Sequence, residues 1–212
     1  MSSTDSTVTG DNGGSKNLLR RRIVQVFGGL GVVSFAGALL APLKNLGIAS
    51  GSSDSALPGQ ELILAEEYTP DGGTTTFETG ANVTEDMLST PGSTLAYPSN
   101  HVEENDYLVR VHRLPPNQIG GPTIEEMTAN GYVAYSAVCT HLGCTVEWKT
   151  DETTPTGTPT DLCNCHGSQF DPYQGAEVVH PPADRALPQI GIELGNEGTL
   201  QLSSDFEERV GP

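Results

Sequence analysis

Two short stretches concentrate the residues best suited to bind a metal. The first is Cys139-Thr140-His141-Leu142-Gly143-Cys144, and the second is Cys163-Asn164-Cys165-His166-Gly167-Ser168. All four cysteines of the chain lie in them. The cysteines therefore serve one site rather than a disulfide framework spread over a fold. Each stretch supplies a pair of cysteines and one histidine, and a glycine stands where the chain must turn tightly around a bound object. Two thiolates on one iron and two imidazoles on the other are the ligand set of a histidine-containing two-iron, two-sulfur cluster. Such a set uses two of the four cysteines and leaves two, which an exported domain can pair. Other chemistries fit less well. Zinc sites favour C-x2-C pairs, whereas the cysteine–histidine spacings here are C-x-H and C-x-x-H. Covalent haem attachment needs C-x-x-C-H, and the second stretch is one residue short. Two plain disulfides would leave the paired histidines without a role.

The pattern resembles the Rieske iron–sulfur proteins, most closely the Rieske subunit of cytochrome bc-type quinol-oxidising complexes. C-T-H-L-G-C and C-x-C-H-G-S are both motifs of that family. The likeness continues through Gln169-Phe170-Asp171 and Pro181-Pro182-Ala183-Asp184-Arg185-Ala186-Leu187-Pro188, covering residues 132–188. The resemblance implies one 2Fe-2S cluster, with Cys139 and Cys163 on the buried iron and His141 and His166 on the outer one. It implies a disulfide between Cys144 and Cys165, and a hydrogen bond from the Ser168 hydroxyl to a cluster sulfide. It places Leu142 at the tip where quinol docks and makes Pro181-Pro182 a loop covering the cluster.

The implied activity is that of an electron-transfer subunit in a quinol-oxidising oxidoreductase complex. Quinol gives up a proton and an electron at His166, and the electron passes to a cytochrome or copper-protein acceptor. A b-type cytochrome subunit is the implied membrane partner. Two other functions share the motifs: the small Rieske subunit of another exported oxidoreductase, of the arsenite oxidase type, and a membrane-anchored carrier without quinol chemistry. Two residues depart from the family pattern. Asn164 replaces the usual proline, and Phe170 stands where many high-potential members carry tyrosine. Hydrogen bonds to the sulfurs tune the potential, and Phe170 cannot make one. The expectation is a lower midpoint potential, suited to a low-potential quinol such as menaquinol.

The elements that must position these motifs read as strands. Tyr107 to Leu114 alternates as a strand with one face on a core. Tyr132 to Val138 is a run of β-formers ending at Cys139. Leu187 to Leu194 and Thr199 to Leu202 flank a hairpin turn at Gly195-Asn196-Glu197-Gly198. Thr123 and Glu126 form a capping box for a short helix over Ile124 to Asn130, with Gly131 as its C-terminal cap. Lys149 to Asp161 reads as a polar loop between the motifs. His101, His112 and His180 read as ordinary surface or partly buried residues. The expected fold is mainly β: a Rieske-type antiparallel β domain with a cluster-binding subdomain, preceded by one N-terminal transmembrane helix.

That helix is read from Ile23 to Leu43, which holds no charged side chain and is long enough to cross a bilayer. Lys16 and Arg20-Arg21-Arg22 precede it and only Lys44 follows closely, which places the N-terminus in the cytoplasm. The arginines also resemble a twin-arginine export signal. The expected organisation is a cytoplasmic segment at 1–22, an uncleaved single-pass anchor at 23–43, a flexible linker at 44–60 and an exported domain at 61–212. The domain would then lie on the extracytoplasmic side of the cell membrane. The chain carries 27 acidic residues against 10 basic ones, a formal net charge of −17. That charge argues against nucleic-acid binding; it fits either a docking surface for a basic partner or a halophile's surface, and its spread along the exported part favours the second.

Overall fold

The computed structural model describes residues 56–150 and 159–212. The expected segment, anchor and most of the linker, residues 1–55, lie outside the described residues. Among those described, no helix is long and apolar enough to cross a membrane.

Among the described residues, ten strands form two antiparallel sheets. The first contains β1 (Leu62–Leu64), β2 (Gly92–Pro98), β3 (Val109–Arg113), β4 (Tyr132–Ser136), β9 (Gln189–Leu194) and β10 (Leu200–Phe206), in that spatial order. Its outer strands meet where Glu61 pairs with Gln201. The second contains β5 (Glu147–Lys149), β6 (Thr160–Leu162), β7 (Gln169–Asp171) and β8 (Glu177–His180). In sequence the second sheet is an insertion between β4 and β9, and both motifs fall inside it or at its edge.

Alternation along the central strands divides the interior in two. Tyr132 and Ala134 of β4 join Val109, Val111, Ile190, Ile192, Leu200 and Leu202 in one core. Val133 and Tyr135 point the other way and join Ala137, Cys139, Val146, Cys163, Phe170 and Leu187 in a second. The second core is covered by the inserted sheet, so β3 and β4 are buried on both faces.

This corrects the reading of Tyr107 to Leu114 as a strand with one wet face. Asn105–Tyr107 is a 3-10 turn, and β3 starts at Val109. Arg110 and His112 of β3 face the inserted sheet instead of water. Arg110 is 5% exposed and its Nη2 donates to the Val146 carbonyl at 2.6 Å. His112 is fully buried; its Nε2 lies 2.9 Å from Asp161 Oδ2 and its ring packs edge-on against Trp148. The 149–161 loop is correspondingly shorter than its polarity suggested. Lys149 closes β5, and Thr160 and Asp161 belong to β6 and are fully buried.

The short helix is also corrected. Only Glu125–Met127 forms a 3-10 turn, without a side-chain cap. The Thr123 hydroxyl is taken elsewhere, accepting from the Gly175 N–H at 2.8 Å. Gly131 ends no helix. With Asn130 it makes a two-residue turn in which both have positive φ, 49° and 84°, and Ala129 and Tyr132 exchange hydrogen bonds across it. Asn-Gly suits such a turn because both residues tolerate the left-handed region. The β9–β10 hairpin forms as read, and β10 runs on to Phe206.

The His112–Asp161 pair yields a stability prediction. Asp161→Ala leaves a buried imidazole without its partner and should cost about 3–5 kcal/mol. Replacing both residues together with leucine should cost much less, because the desolvation penalty goes with the pair. Urea denaturation of the three proteins at equal cluster content checks this, and equal losses in all three would contradict it.

Candidate metal centre

The two motif loops have the same backbone plan. Val138 bridges Thr145 at the base of the first loop. Within it, the Cys139 N–H donates to the Cys144 carbonyl at 2.8 Å and the Gly143 N–H to the Cys139 carbonyl at 2.9 Å. In the second loop, the Cys163 N–H donates to the Ser168 carbonyl at 2.8 Å and the Gly167 N–H to the Cys163 carbonyl at 2.9 Å. Gly143 and Gly167 have φ of 81° and 83°. A Cβ at Gly167 would meet nothing within 4 Å. Glycine is therefore needed there for backbone conformation and not for space.

The loops bring the predicted residues together in layers. Cys139 and Cys163 are free and buried, and their thiols interact with each other. Burial, and then the neighbouring Cys139 thiol, push the Cys163 thiol above its ordinary pKa. Cys144 and Cys165 are bonded to each other. The His141 and His166 rings stand perpendicular with centroids 4.8 Å apart. His166 is exposed and His141 half-buried. Leu142 beside it is 60% exposed.

This donor set fits a cluster. The Nδ1 of His141 is buried and has no hydrogen-bond partner, a costly arrangement for a polar atom unless a metal takes its lone pair. The Cys163 sulfur also lies within 4.8 Å of the Cys144 and Cys165 sulfurs. Those two are joined to each other, so the free thiols of Cys139 and Cys163 remain as sulfur donors.

Surrounding residues fix the loops. Ser168 is fully buried and its Oγ accepts from the Ala183 N–H at 2.9 Å, which leaves its own hydrogen free to donate. Phe170 is fully buried in the second core, which also holds both free cysteines. Pro181 and Pro182 are exposed. Sequence reasoning missed four supports. Arg110 holds Val146, two residues past Cys144. Burial lowers its pKa, opposed by Asp161, Glu66 and Glu147. Asp161 sits two residues before Cys163. Thr140 donates to the Arg185 carbonyl at 2.7 Å. The Nδ1 of His180 lies 3.1 Å from the Gly167 carbonyl and 2.7 Å from that of Pro181, so it donates there and ties β8 to the second loop. Arg110 and Asp161 carried no sequence signal, since each is a lone polar residue in a polar or alternating stretch; Thr140 lies inside the first motif and His180 beside the proline loop, but spacing gave neither a partner.

Comparison with known proteins decides what the layered site holds. The model of the Rieske 2Fe-2S domain matches residues 103–191. The chain carries a Rieske domain with one 2Fe-2S cluster. This Rieske domain is similar to the cytochrome bc1 complex Rieske iron–sulfur subunit of Streptomyces lividans. The two are 43% identical over 100 residues, covering 47% of this chain and 56% of that protein. It is also similar to a protein of Haloferax mediterranei provisionally named the Rieske subunit of a respiratory nitrate reductase. Identity there is 46% over 87 residues, covering 41% of this chain and 36% of that protein. The chain thus matches about half or less of the length of these relatives. Among solved structures, the soluble domain of Rieske protein II from Sulfolobus acidocaldarius is 26% identical, with a TM-score of 0.36 over 46% of this chain and 62% of that one.

The raised Cys163 pKa sets the pH dependence of cluster assembly in this Rieske domain. The bound form needs thiolates, and burial favours the neutral thiol. Assembly therefore releases protons and should become more favourable as pH rises towards the raised thiol pKa. Reconstitution of apo-protein with iron and sulfide, followed by visible absorbance across pH, should show that rise. A flat profile would contradict it.

Proposed function

We propose that the chain is the Rieske electron-transfer subunit of a membrane-bound, quinol-oxidising complex of cytochrome bc type. The observation that carries this reading is the exposed end of the site, where His166 faces solvent and Leu142 projects beside His141. The relative in Streptomyces lividans, named as a bc1 complex subunit, supports the same complex.

Cys139 and Cys163 would hold the inner iron and His141 and His166 the outer one, with Cys144–Cys165 fastening the two loops. When bound, the cluster supplies a one-electron acceptor whose potential lies above that of an all-cysteine cluster, because imidazoles replace two negative thiolates. His166 would hold the cluster through one ring nitrogen, and its exposed side would accept a hydrogen bond from a quinol hydroxyl and then hold its proton. Leu142 would offer a quinol ring an apolar contact, and the Ser168 hydroxyl would donate to a cluster sulfide. Phe170 cannot donate to a sulfur, which suits a low-potential quinol such as menaquinol. A b-type cytochrome subunit would share the quinol site, and a cytochrome or copper protein would take the electron. The organisation expected from the sequence completes the proposal: cytoplasmic residues 1–22, an anchor at 23–43, a linker at 44–60 and the extracytoplasmic domain at 61–212, its cluster-binding part over 132–188.

The Haloferax mediterranei relative favours a second reading, a Rieske subunit of another respiratory oxidoreductase. A redox titration by electron paramagnetic resonance on membranes separates the two. A bc-type subunit should give a rhombic signal that changes shape with a quinol-site inhibitor, and the chain should copurify with a b-type cytochrome. A signal indifferent to such inhibitors, with copurification of a molybdenum-type reductase, would transfer the chain to the second reading.

The same titration tests Phe170. Phe170→Tyr should move the midpoint to a more positive potential, because its hydroxyl can donate to a cysteine sulfur and stabilise the reduced cluster. An unchanged midpoint would remove the argument for a low-potential quinol.

A further inference from the structure

The first motif loop is held from outside by a segment that neither the ligand set nor the quinol reading uses. After β10 ends at Phe206, Val210-Gly211-Pro212 reaches back to the loop. Gly211 is buried and has φ of +73°. A Cβ placed on it would lie 3.6 Å from Val138 Cγ1. A Cβ placed on Gly143 would lie 3.7 Å from the Pro212 ring. Pro212 therefore lies over the glycine next to Cys144, and Gly211 lies over the residue before Cys139.

Arg185 joins this segment to the loop a second time. Its Nη2 donates to the Gly211 carbonyl, and its own main-chain carbonyl accepts from the Thr140 hydroxyl at 2.7 Å. Thr140 is 4% exposed and lies between Cys139 and His141. Three chain segments thus meet on one loop: the 210–212 segment, the segment bearing Arg185, and residues 138–143.

The two halves of the disulfide are unequally placed. Cys165 is exposed, whereas Cys144 is half-buried beside Gly143. An external thiolate attacks at Cys165, the more exposed half, forms a mixed disulfide there and expels Cys144 as a thiolate. Cys144 can leave only if its loop relaxes, and the 210–212 segment with Arg185 opposes that relaxation.

We propose that Val210–Pro212, riveted by Arg185, is a strap over the first motif loop that protects the Cys144–Cys165 disulfide from reduction. The proposal concerns the chain's own side chains and is independent of which donor reduces the cluster.

The test is the rate at which dithiothreitol reduces the disulfide in the cluster-loaded full chain, read by thiol trapping and mass spectrometry. Each event oxidises one dithiothreitol to its cyclic disulfide and delivers two electrons and two protons to Cys144 and Cys165. Arg185→Gln and removal of Gly211 and Pro212 should each accelerate reduction by about tenfold, the scale of losing one hydrogen bond from a charged donor. Combining them should add little, because both open the same strap. Arg185→Lys, which keeps a cationic donor, should fall between. Arg113→Gln removes a comparable bond, to the Leu88 carbonyl at 2.9 Å, and should leave the rate unchanged. Equal rates in wild type and both strap variants would overturn the proposal. So would accelerations that multiply in the combined protein, or an equal acceleration in Arg113→Gln. If Arg185→Gln does not fold, the deletion decides alone against the same control. An outcome here leaves the quinol reading untouched, since that reading is judged by the inhibitor response.

Discussion

Thiols that could hold a metal favour a dry site, exposed imidazoles favour water, and both kinds of candidate donor come here from the same two loops. The structure meets this by placing each loop at the end of strands that are buried on both faces. Cys139 follows β4 and Cys163 follows β6, so both thiols emerge from the second core. Two or three residues later each loop has climbed to the surface, where His141 and His166 stand. The backbone plan shared by the loops, closed by Gly143 and Gly167, makes that climb the same on both sides. A one-faced sheet would leave one of the two thiols wet. The inserted sheet is thus a requirement of the chemistry and not an ornament on the framework.

The cost of burying β3 on both faces explains the polar interior. Alternation demands that every second side chain of β3 point at the inserted sheet, and those side chains are Arg110 and His112. Each finds a partner there: the carbonyl of Val146, just before β5, for the guanidinium and Asp161 of β6 for the imidazole. These contacts specify how the two sheets sit, since an apolar interface would accept more than one register while a buried pair accepts one. The specification reaches the site, because Val146 and Asp161 each lie two residues from a motif cysteine.

That same arrangement explains what could be read in advance. Cys139, His141, Cys163 and His166 could be singled out as candidate ligands because ligand chemistry restricts residue type and spacing together. The β9–β10 hairpin was legible because its turn residues mark themselves. Arg110 and His112 were not, since polar residues at alternate positions of a strand ordinarily face water. Only the later arrival of a second sheet, inserted between β4 and β9, reverses that expectation. Asp161 was lost in a polar loop for the same reason: nothing local distinguishes a solvated aspartate from one that meets a histidine 49 residues away. The capping box failed through competition. Thr123 had the right neighbours for a helix, but Gly175 claimed its hydroxyl.

The buried charges also bear on the electron. A carboxylate two residues from Cys163 would by itself oppose the arrival of negative charge at the site. Asp161 is not by itself, because Arg110 lies close enough to couple to it electrostatically and His112 is hydrogen-bonded to it. The guanidinium offsets the carboxylate, and in a low-dielectric interior that offset is worth more than any surface charge can be. A chain of net charge −17 therefore does not impose its surface potential directly on the cluster. Exposed carboxylates are screened by water and salt, whereas Arg110, Asp161 and His112 are not. The interactions that dock the inserted sheet are also those best placed to set the field in which the cluster takes its electron, so the potential and the docking of the sheet cannot be tuned independently.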